Sequence, residues 1–218
     1  FPHRSAEFRA INHEIRELLY YLFQINPDTW DVTPLSGSGT AGLDAVAANF
    51  FAPGDKVLAI TNGKFSERVY EMADMYTKGG AVEFRCEAWG QPPDLEKLDE
   101  LLSGDDFRAV TLCHNETASG ITNPAKEVGE IAKKHNALFI LDGITSVGGI
   151  RVVPDELNAD VVIVGSQKCI GAPAGMSAVA VRKSVADMMY KGRSYYVDLQ
   201  KHIDMFNKDD TPFTPAIP

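Results

Sequence analysis

Cysteine is sparse in this sequence and falls into no recognisable pairing. Cys86, Cys113 and Cys169 are the only three among 218 residues, with no Cys-x-x-Cys spacing. That argues against a disulfide framework and points to a reducing, cytoplasmic setting. Basic residues are outnumbered, 21 Lys and Arg against 30 Asp and Glu, for a net charge of −9. So acidic a chain lacks the basic face that general nucleic-acid binding requires. A small anionic ligand stays open, because backbone N–H groups bind anions locally. No apolar run approaches the roughly 20 residues of a membrane-spanning helix, and no signal peptide is read. Neither Gly-x-Ser-x-Gly nor His-Glu-x-x-His occurs, which removes two common hydrolase signatures. The chain begins Phe1-Pro2-His3, without Met, and stops at Ile217-Pro218, as a piece of a longer protein would.

What is present reads as an ordinary globular domain, 44% hydrophobic and 23% charged. Phe8, Ile11, Ile15, Leu18 and Leu22 recur at steps of three and four, predicting an amphipathic helix over 6–23 that ends at Asn26-Pro27-Asp28. A short extended segment over 30–35 leads into Ser36-Gly37-Ser38-Gly39-Thr40 and a helix over 41–51. From there strands and helices alternate. Strands are predicted over 56–60, 81–86, 109–113, 137–141, 161–164 and 178–182, and helices over 65–78, 94–102 and 124–135. Helices alternating with nearly continuous apolar strands predict an α/β fold: a doubly wound, mostly parallel sheet with flanking helices.

In such sheets ligands bind beyond the carboxyl ends of the strands. The segments that follow the predicted strands are all polar or glycine-rich: Gly37–Thr40, Asn62–Phe65, His114–Thr117, Asp142, and Ser166–Lys168. Gly37, Gly39 and Gly42 fit G-x-G-x-x-G before a helix, but the next strand ends in Thr61-Asn62. It supplies no carboxylate for a ribose hydroxyl, so the dinucleotide reading is weak. A plain phosphate site at the helix start survives, with Ser38 and Thr40 adding hydroxyls. Lys168 follows an apolar strand and has Cys169 and Ile170 after it, which predicts a desolvated amine able to act as a nucleophile. Asp142 ends the run Leu138-Phe139-Ile140-Leu141. It is either a turn cap or a buried carboxylate that needs a cation, such as a protonated pyridine nitrogen. A lysine for an aldehyde, a cradle for a phosphate and an acid for a ring nitrogen together match a pyridoxal phosphate site.

The chain resembles the class V aminotransferases of pyridoxal-phosphate fold type I, and among them the serine–pyruvate and alanine–glyoxylate group. The resemblance runs nearly end to end. It is carried by HRSAEF at the start, SGSGTAGLDA, NGKFSER, HNETASG, LDGITSVGG, GSQKCIGAPAG and TPFTPAIP. By that resemblance Lys168 would form the Schiff-base link and Asp142 would pair with the ring nitrogen. Ser38, Gly39 and Thr40 would hold the phosphate with Gln167 beside them. Phe65 would stack on the ring and Thr117 would reach its polar edge. Thr211 and Thr214 would reach the partner subunit's phosphate, implying a homodimer with shared sites. Residues 1–218 would form the large cofactor domain, with a smaller C-terminal domain and its substrate-carboxylate arginine outside this chain. Ser66, where the family usually has Gly, and Ala118, which interrupts a Ser/Thr pair, are departures.

The implied activity is transfer of an amino group from a small amino acid of the serine, alanine or aspartate type. The acceptor is a small 2-keto acid of the pyruvate or glyoxylate type, and the kinetics are ping-pong. Three alternatives accompany this reading: a 2-aminoethylphosphonate–pyruvate aminotransferase, a cysteine desulfurase-like lyase, and a non-catalytic assembly protein that keeps the fold. Gln167 stands where a desulfurase typically has His. A thiol hydrolase built on Cys113 or Cys169 with His114 is disfavoured, because adjacent strand residues point to opposite faces; a buried core cysteine is the better reading of each.

Overall fold

A computed structural model describes residues 2–215; Phe1 and the last three residues of the TPFTPAIP run lie outside the described part. The first helix, α1 (Ala6–Phe23), starts where Ser5 Oγ accepts the Phe8 N–H and stops at Gln24 in the left-handed region. Strand β1 (Trp30–Ser36) and helix α2 (Gly39–Phe50) follow, then β2 (Val57–Thr61), α3 (Lys64–Thr77) and β3 (Ala81–Arg85). Next come α4 (Leu95–Ser103), capped by Asp94, and β4 (Ala109–Cys113). A two-stranded hairpin of β5 (Asn115–Glu116) and β6 (Ile121–Thr122) precedes α5 (Ala125–Lys134) and β7 (Leu138–Asp142). The chain continues through β8 (Val161–Gly165), β9 (Met176–Arg182), a 3₁₀ turn over Lys183–Met188, and α6 (Leu199–Phe206).

Seven strands form one sheet in the order β1-β9-β8-β7-β4-β2-β3. Only β9 runs against the others, antiparallel to both β8 and β1. The predicted doubly wound, mostly parallel sheet is what the chain forms. The carboxyl ends of β1, β2, β4, β7 and β8 therefore share one edge, and the loop from β8 to β9 returns to it.

Strand parity sorts the side chains. Phe139 and Leu141 enter the apolar cluster beneath α4 and α5, with Leu98, Val128 and Ala132. Leu138 and Ile140 enter the opposite cluster beneath α2 and α6, with Ala45, Phe50, Leu199 and Ile203. Each such large side chain removed from water contributes about 1.5–3 kcal/mol. The same alternation puts Asp142 on the α2 side, two residues beyond Ile140.

The first helix has the predicted span, 6–23. Its buried residues are Asn12, Tyr20 and Phe23. Ile11, Ile15 and Leu18 remain exposed, Leu18 to 57%. Polar contacts fix the rotation of the helix: Arg9 pairs with Asp210 at 3.0 Å, Arg16 pairs with Asp209 at 2.8 Å, and Asn12 donates to the Asp209 carbonyl.

Candidate active site

The polar edge opens into a cleft of about 190 Å³. Its lining includes Ser38, Gly39, Thr40, Phe65, Thr117, Asp142, Gln167 and Lys168. The first eight predicted groups thus meet at one place, although they span 130 residues of chain between Ser38 and Lys168. Thr211 and Thr214 do not line it. A wider groove of about 1040 Å³ lies between the end of α1 and residues 148–152, and holds none of these groups.

Helix α2 aims its first turn into the cleft. Ser38 is its N-cap, with extended backbone and no hydrogen bond from its hydroxyl to the helix. The N–H groups of the first turn are left without a side-chain acceptor, the arrangement that favours an anion. Gly39 is buried because a Cβ there would stand 2.6 Å from Ile144 Cδ1. That absent methyl lets the helix start pack against Ile144, just beyond β7, with Gly165 at the end of β8 nearby.

Asp142 is buried at the cleft floor, 6% exposed. Burial pushes its carboxyl up to about 6; the Ile144 N–H, donating to Oδ1 at 2.9 Å, pulls the other way, and the charge of Glu116 adds to the rise. Among the described residues it has no ion-pair partner within salt-bridge distance. It is therefore a buried acid at the cleft floor with no cation paired to it.

Lys168 lies on the turn after β8 and is exposed at the cleft mouth, not desolvated as the sequence reading expected. The turn that follows Gly165 carries it clear of the sheet, with the Lys168 N–H donating to the Gly165 carbonyl at 3.3 Å. Gln167 and Cys169 beside it are exposed too. The expectation of a buried Cys169 is corrected for the same reason; its Sγ reaches the Thr145 carbonyl at 3.2 Å. Cys113 is buried as expected, and its thiol is pushed well above the usual range by burial and by the charges of Asp142 and Glu116. His114 turns away from it, its Nδ1 3.1 Å from Ser146 Oγ, so no cysteine–histidine pair forms.

Other groups in the cleft were not singled out from the sequence. Thr145 joins Thr117 at 3.5 Å between hydroxyls, and its Oγ1 donates to the Asn115 carbonyl at 2.8 Å. Arg68, one helical turn after Phe65, sets its guanidinium 4.9 Å from the Phe65 ring centre. The motif NGKFSER contained this contact, since side chains three apart on a helix meet. Beside the cleft, β2 and β4 pair only as far as Ala59 and Thr111. Buried Asn62 and Asn123 bridge the opening beyond, Nδ2 to Oδ1 at 2.7 Å.

A sequence profile described as Aminotransferase class-V matches residues 1–209. The chain belongs to that family. As a class-V aminotransferase family member it is 37% identical over 220 residues to an uncharacterized aminotransferase of Methanocaldococcus jannaschii, covering 99% of this chain and 56% of that one. It is 36% identical over 221 residues to a soluble hydrogenase 42 kDa subunit of Anabaena cylindrica, with the same coverage of 99% and 56%. Its fold matches the crystal structure of an alanine–glyoxylate aminotransferase from Nostoc sp. with a TM-score of 0.89 at 29% identity, over 99% of this chain and 57% of that one. The chain spans about half the length of the curated relatives it matches. The mostly parallel sheet with flanking helices is the architecture shared with that solved structure.

Proposed function

We propose that this chain is the cofactor-binding part of a pyridoxal-phosphate-dependent aminotransferase. The observation that carries the reading is the uncompensated, buried carboxylate of Asp142 in one cleft with the amine of Lys168, the ring of Phe65 and the uncapped start of α2. These residues fit the cofactor's three handles. Ser38, Gly39 and Thr40 would hold its phosphate at the helix start, with Gln167 beside them. Phe65 would lie on its ring and Thr117 at the ring's polar edge. Lys168 Nζ would hold its aldehyde carbon. When bound, this cofactor supplies an electron sink for the bonds at an amino acid's α-carbon.

The residues of the chain do the rest. A carboxylate at Asp142 would hold a proton on the ring nitrogen, since an adjacent cation favours the charged acid that burial disfavours. Lys168 Nζ, as a free amine, would take the proton from the donor's α-carbon and return it on the other side of the exchange. The donor would leave as a keto acid, and its amino group would end on a second keto acid, which would leave as an amino acid. Small donors of the serine, alanine or aspartate type and acceptors of the pyruvate or glyoxylate type are proposed, supported by the alanine–glyoxylate relative of the same fold. The proposed assembly is a homodimer in which Thr211 and Thr214 serve the partner's cleft, as neither lines its own. Three free cysteines fit a cytoplasmic setting, and no described helix is long and apolar enough to cross a membrane.

A non-catalytic assembly role is the second reading; one relative is named as a subunit of a soluble hydrogenase and not as an aminotransferase. Retention of both Lys168 and Asp142 weighs against it. The deciding test is the near-visible absorption of the protein before and after borohydride, followed by peptide mapping. A yellow band that bleaches and leaves its label on Lys168 is expected. Protein of the full chain that stays colourless with added pyridoxal phosphate overturns the proposal.

A further inference from the structure

Glu116 is fully buried, and no lysine, arginine or histidine pairs with it among the described residues. Its carboxyl is instead surrounded by donors. Oε1 accepts the Phe65 N–H at 3.3 Å and the Ala118 N–H at 3.0 Å; Oε2 accepts the Ser66 N–H at 2.8 Å and lies 2.9 Å from Ser66 Oγ. Both carboxyl oxygens are thus engaged as acceptors of backbone N–H groups. The start of α3, with its partial positive charge, supplies the compensation that no cation does. Space for the carboxyl exists only because residue 63 is glycine: a Cβ there would sit 2.3 Å from Glu116 Cγ and 2.4 Å from Cδ.

The connection matters because of what each end carries. Phe65 is the second residue of α3 and Thr117 directly follows Glu116, and both line the cleft. Arg68 holds the Phe65 ring from its own side. The Glu116 main chain meanwhile ties down its turn, its carbonyl accepting the Gly120 N–H at 2.8 Å. One side chain thus locks the first turn of α3 to the β5–β6 hairpin.

We infer that Glu116 is a positioning residue: its carboxylate clamps the Phe65 backbone against the Thr117 loop and so fixes the ring and hydroxyl that would contact the cofactor. The inference rests on the pyridoxal phosphate reading above. Ser66 is part of the clamp, and its hydroxyl accounts for a serine at this position. A neutral amide cannot replace the acid. Glutamine would turn an NH₂ toward either two backbone N–H groups or the Ser66 N–H, setting donor against donor.

The test uses the full chain with added pyridoxal phosphate and the variant Glu116→Gln. Two readouts are taken: backbone amide exchange over residues 62–68, and the near-visible circular dichroism and affinity of the bound cofactor. At least tenfold faster exchange at Phe65 and Ser66 is expected, with cofactor bound at least tenfold more weakly and its dichroism reduced. Ser66→Ala removes the hydroxyl beside the carboxyl and, with it, the acceptor of the Asn62 and Gly63 N–H groups, while leaving the acid in place; it is expected to speed exchange at Ser66 and to weaken cofactor binding and dichroism by about threefold, and carries the test if the first variant does not fold. Faster exchange with unaltered dichroism and affinity would leave Glu116 a fold residue only and overturn the inference. Unaltered exchange would overturn the clamp itself. Failure of the unaltered chain to bind the cofactor would overturn the functional reading instead, while the exchange measurement would still judge the clamp.

Discussion

Cys113 and Asp142 are register partners across the parallel strands β4 and β7, side by side at the carboxyl ends of two buried strands. Both face the α2 side and both line the cleft. The thiol stays protonated, donates to the Asn115 carbonyl at 3.4 Å, and stands beside an acid that lacks a cation. A buried acid of this kind costs the empty fold stability at neutral pH.

The cost can be measured through Asp142→Asn in cofactor-free protein. Burial raises the Asp142 pKa from 3.8 to about 6, so the folded state favours the protonated form. Below the unfolded value the carboxyl carries no penalty; the penalty grows as pH rises and is complete above about 6, where it amounts to about 3 kcal/mol. Chemical denaturation should therefore find the variant more stable than the parent at pH 7–8 and equal to it below about pH 4. No gain at pH 8 would mean the carboxyl is not desolvated.

His114 supplies the opposite slope. Burial lowers its pKa from 6.5 to about 4, so the folded state favours the neutral ring. Its contribution is complete above about 6.5 and is lost as pH falls towards 4, again about 3 kcal/mol. The two effects nearly cancel in the unaltered chain between pH 6 and 4. Asp142→Asn should lose stability across that interval and His114→Asn should gain it, as read from denaturant midpoints at constant m. Parallel pH profiles for the two variants would contradict this assignment.

These coupled groups mark where the sequence was informative and where it was not. The strands were legible because β4, β7 and β8 are continuous apolar runs bounded by polar residues, and Asp142 stood out at the end of one. The loop order along a shared edge followed from the parallel arrangement. The exposure of Lys168 did not, because the apolar neighbours Cys169 and Ile170 belong to a turn and not to the strand. Helix α1 was legible over its whole span, 6–23, but not the exposure of its stripe, because periodicity reports an apolar face and not what covers it. The β5–β6 hairpin is two residues a side, too short for any periodic signal, and it hid Glu116, whose partners lie 50 and 51 residues away. Helix α6 was missed although Asp198 caps it, since its eight residues follow a segment with no strand signal.

Gly129 offers a test of packing apart from the site. A Cβ there would stand 1.9 Å from the Leu157 carbonyl oxygen and 2.9 Å from a Phe139 ring carbon, so α5 lies against its neighbours through bare backbone. Gly129→Ala should destabilise by about 1–3 kcal/mol despite its better helix propensity. For a chain of this length that is a fall of roughly 2–4 °C in Tm per kcal/mol. Gly104→Ala, where the nearest atom to a Cβ is 3.6 Å away, should leave Tm within about a degree.

The proposed sharing of sites between subunits has a genetic-style test. Phe213 is seated among Tyr195, Tyr196 and His202, with ring centres 5.3, 5.5 and 5.9 Å away, which places Thr211 and Thr214 away from the chain's own cleft. If Thr214 acts on the partner's phosphate, Thr214→Val should weaken cofactor binding about tenfold or more, the loss of one charge-assisted hydrogen bond. Lys168→Ala should abolish covalent attachment outright. A dimer that combines one chain of each variant then contains one cleft with both defects and one with neither. Such mixed dimers should recover one tightly bound, borohydride-reducible cofactor per pair. Were Thr214 to act within its own chain, every cleft of the mixed dimer would carry a defect and none would be restored. Light scattering that finds only monomer in a fully active preparation would remove the shared site altogether.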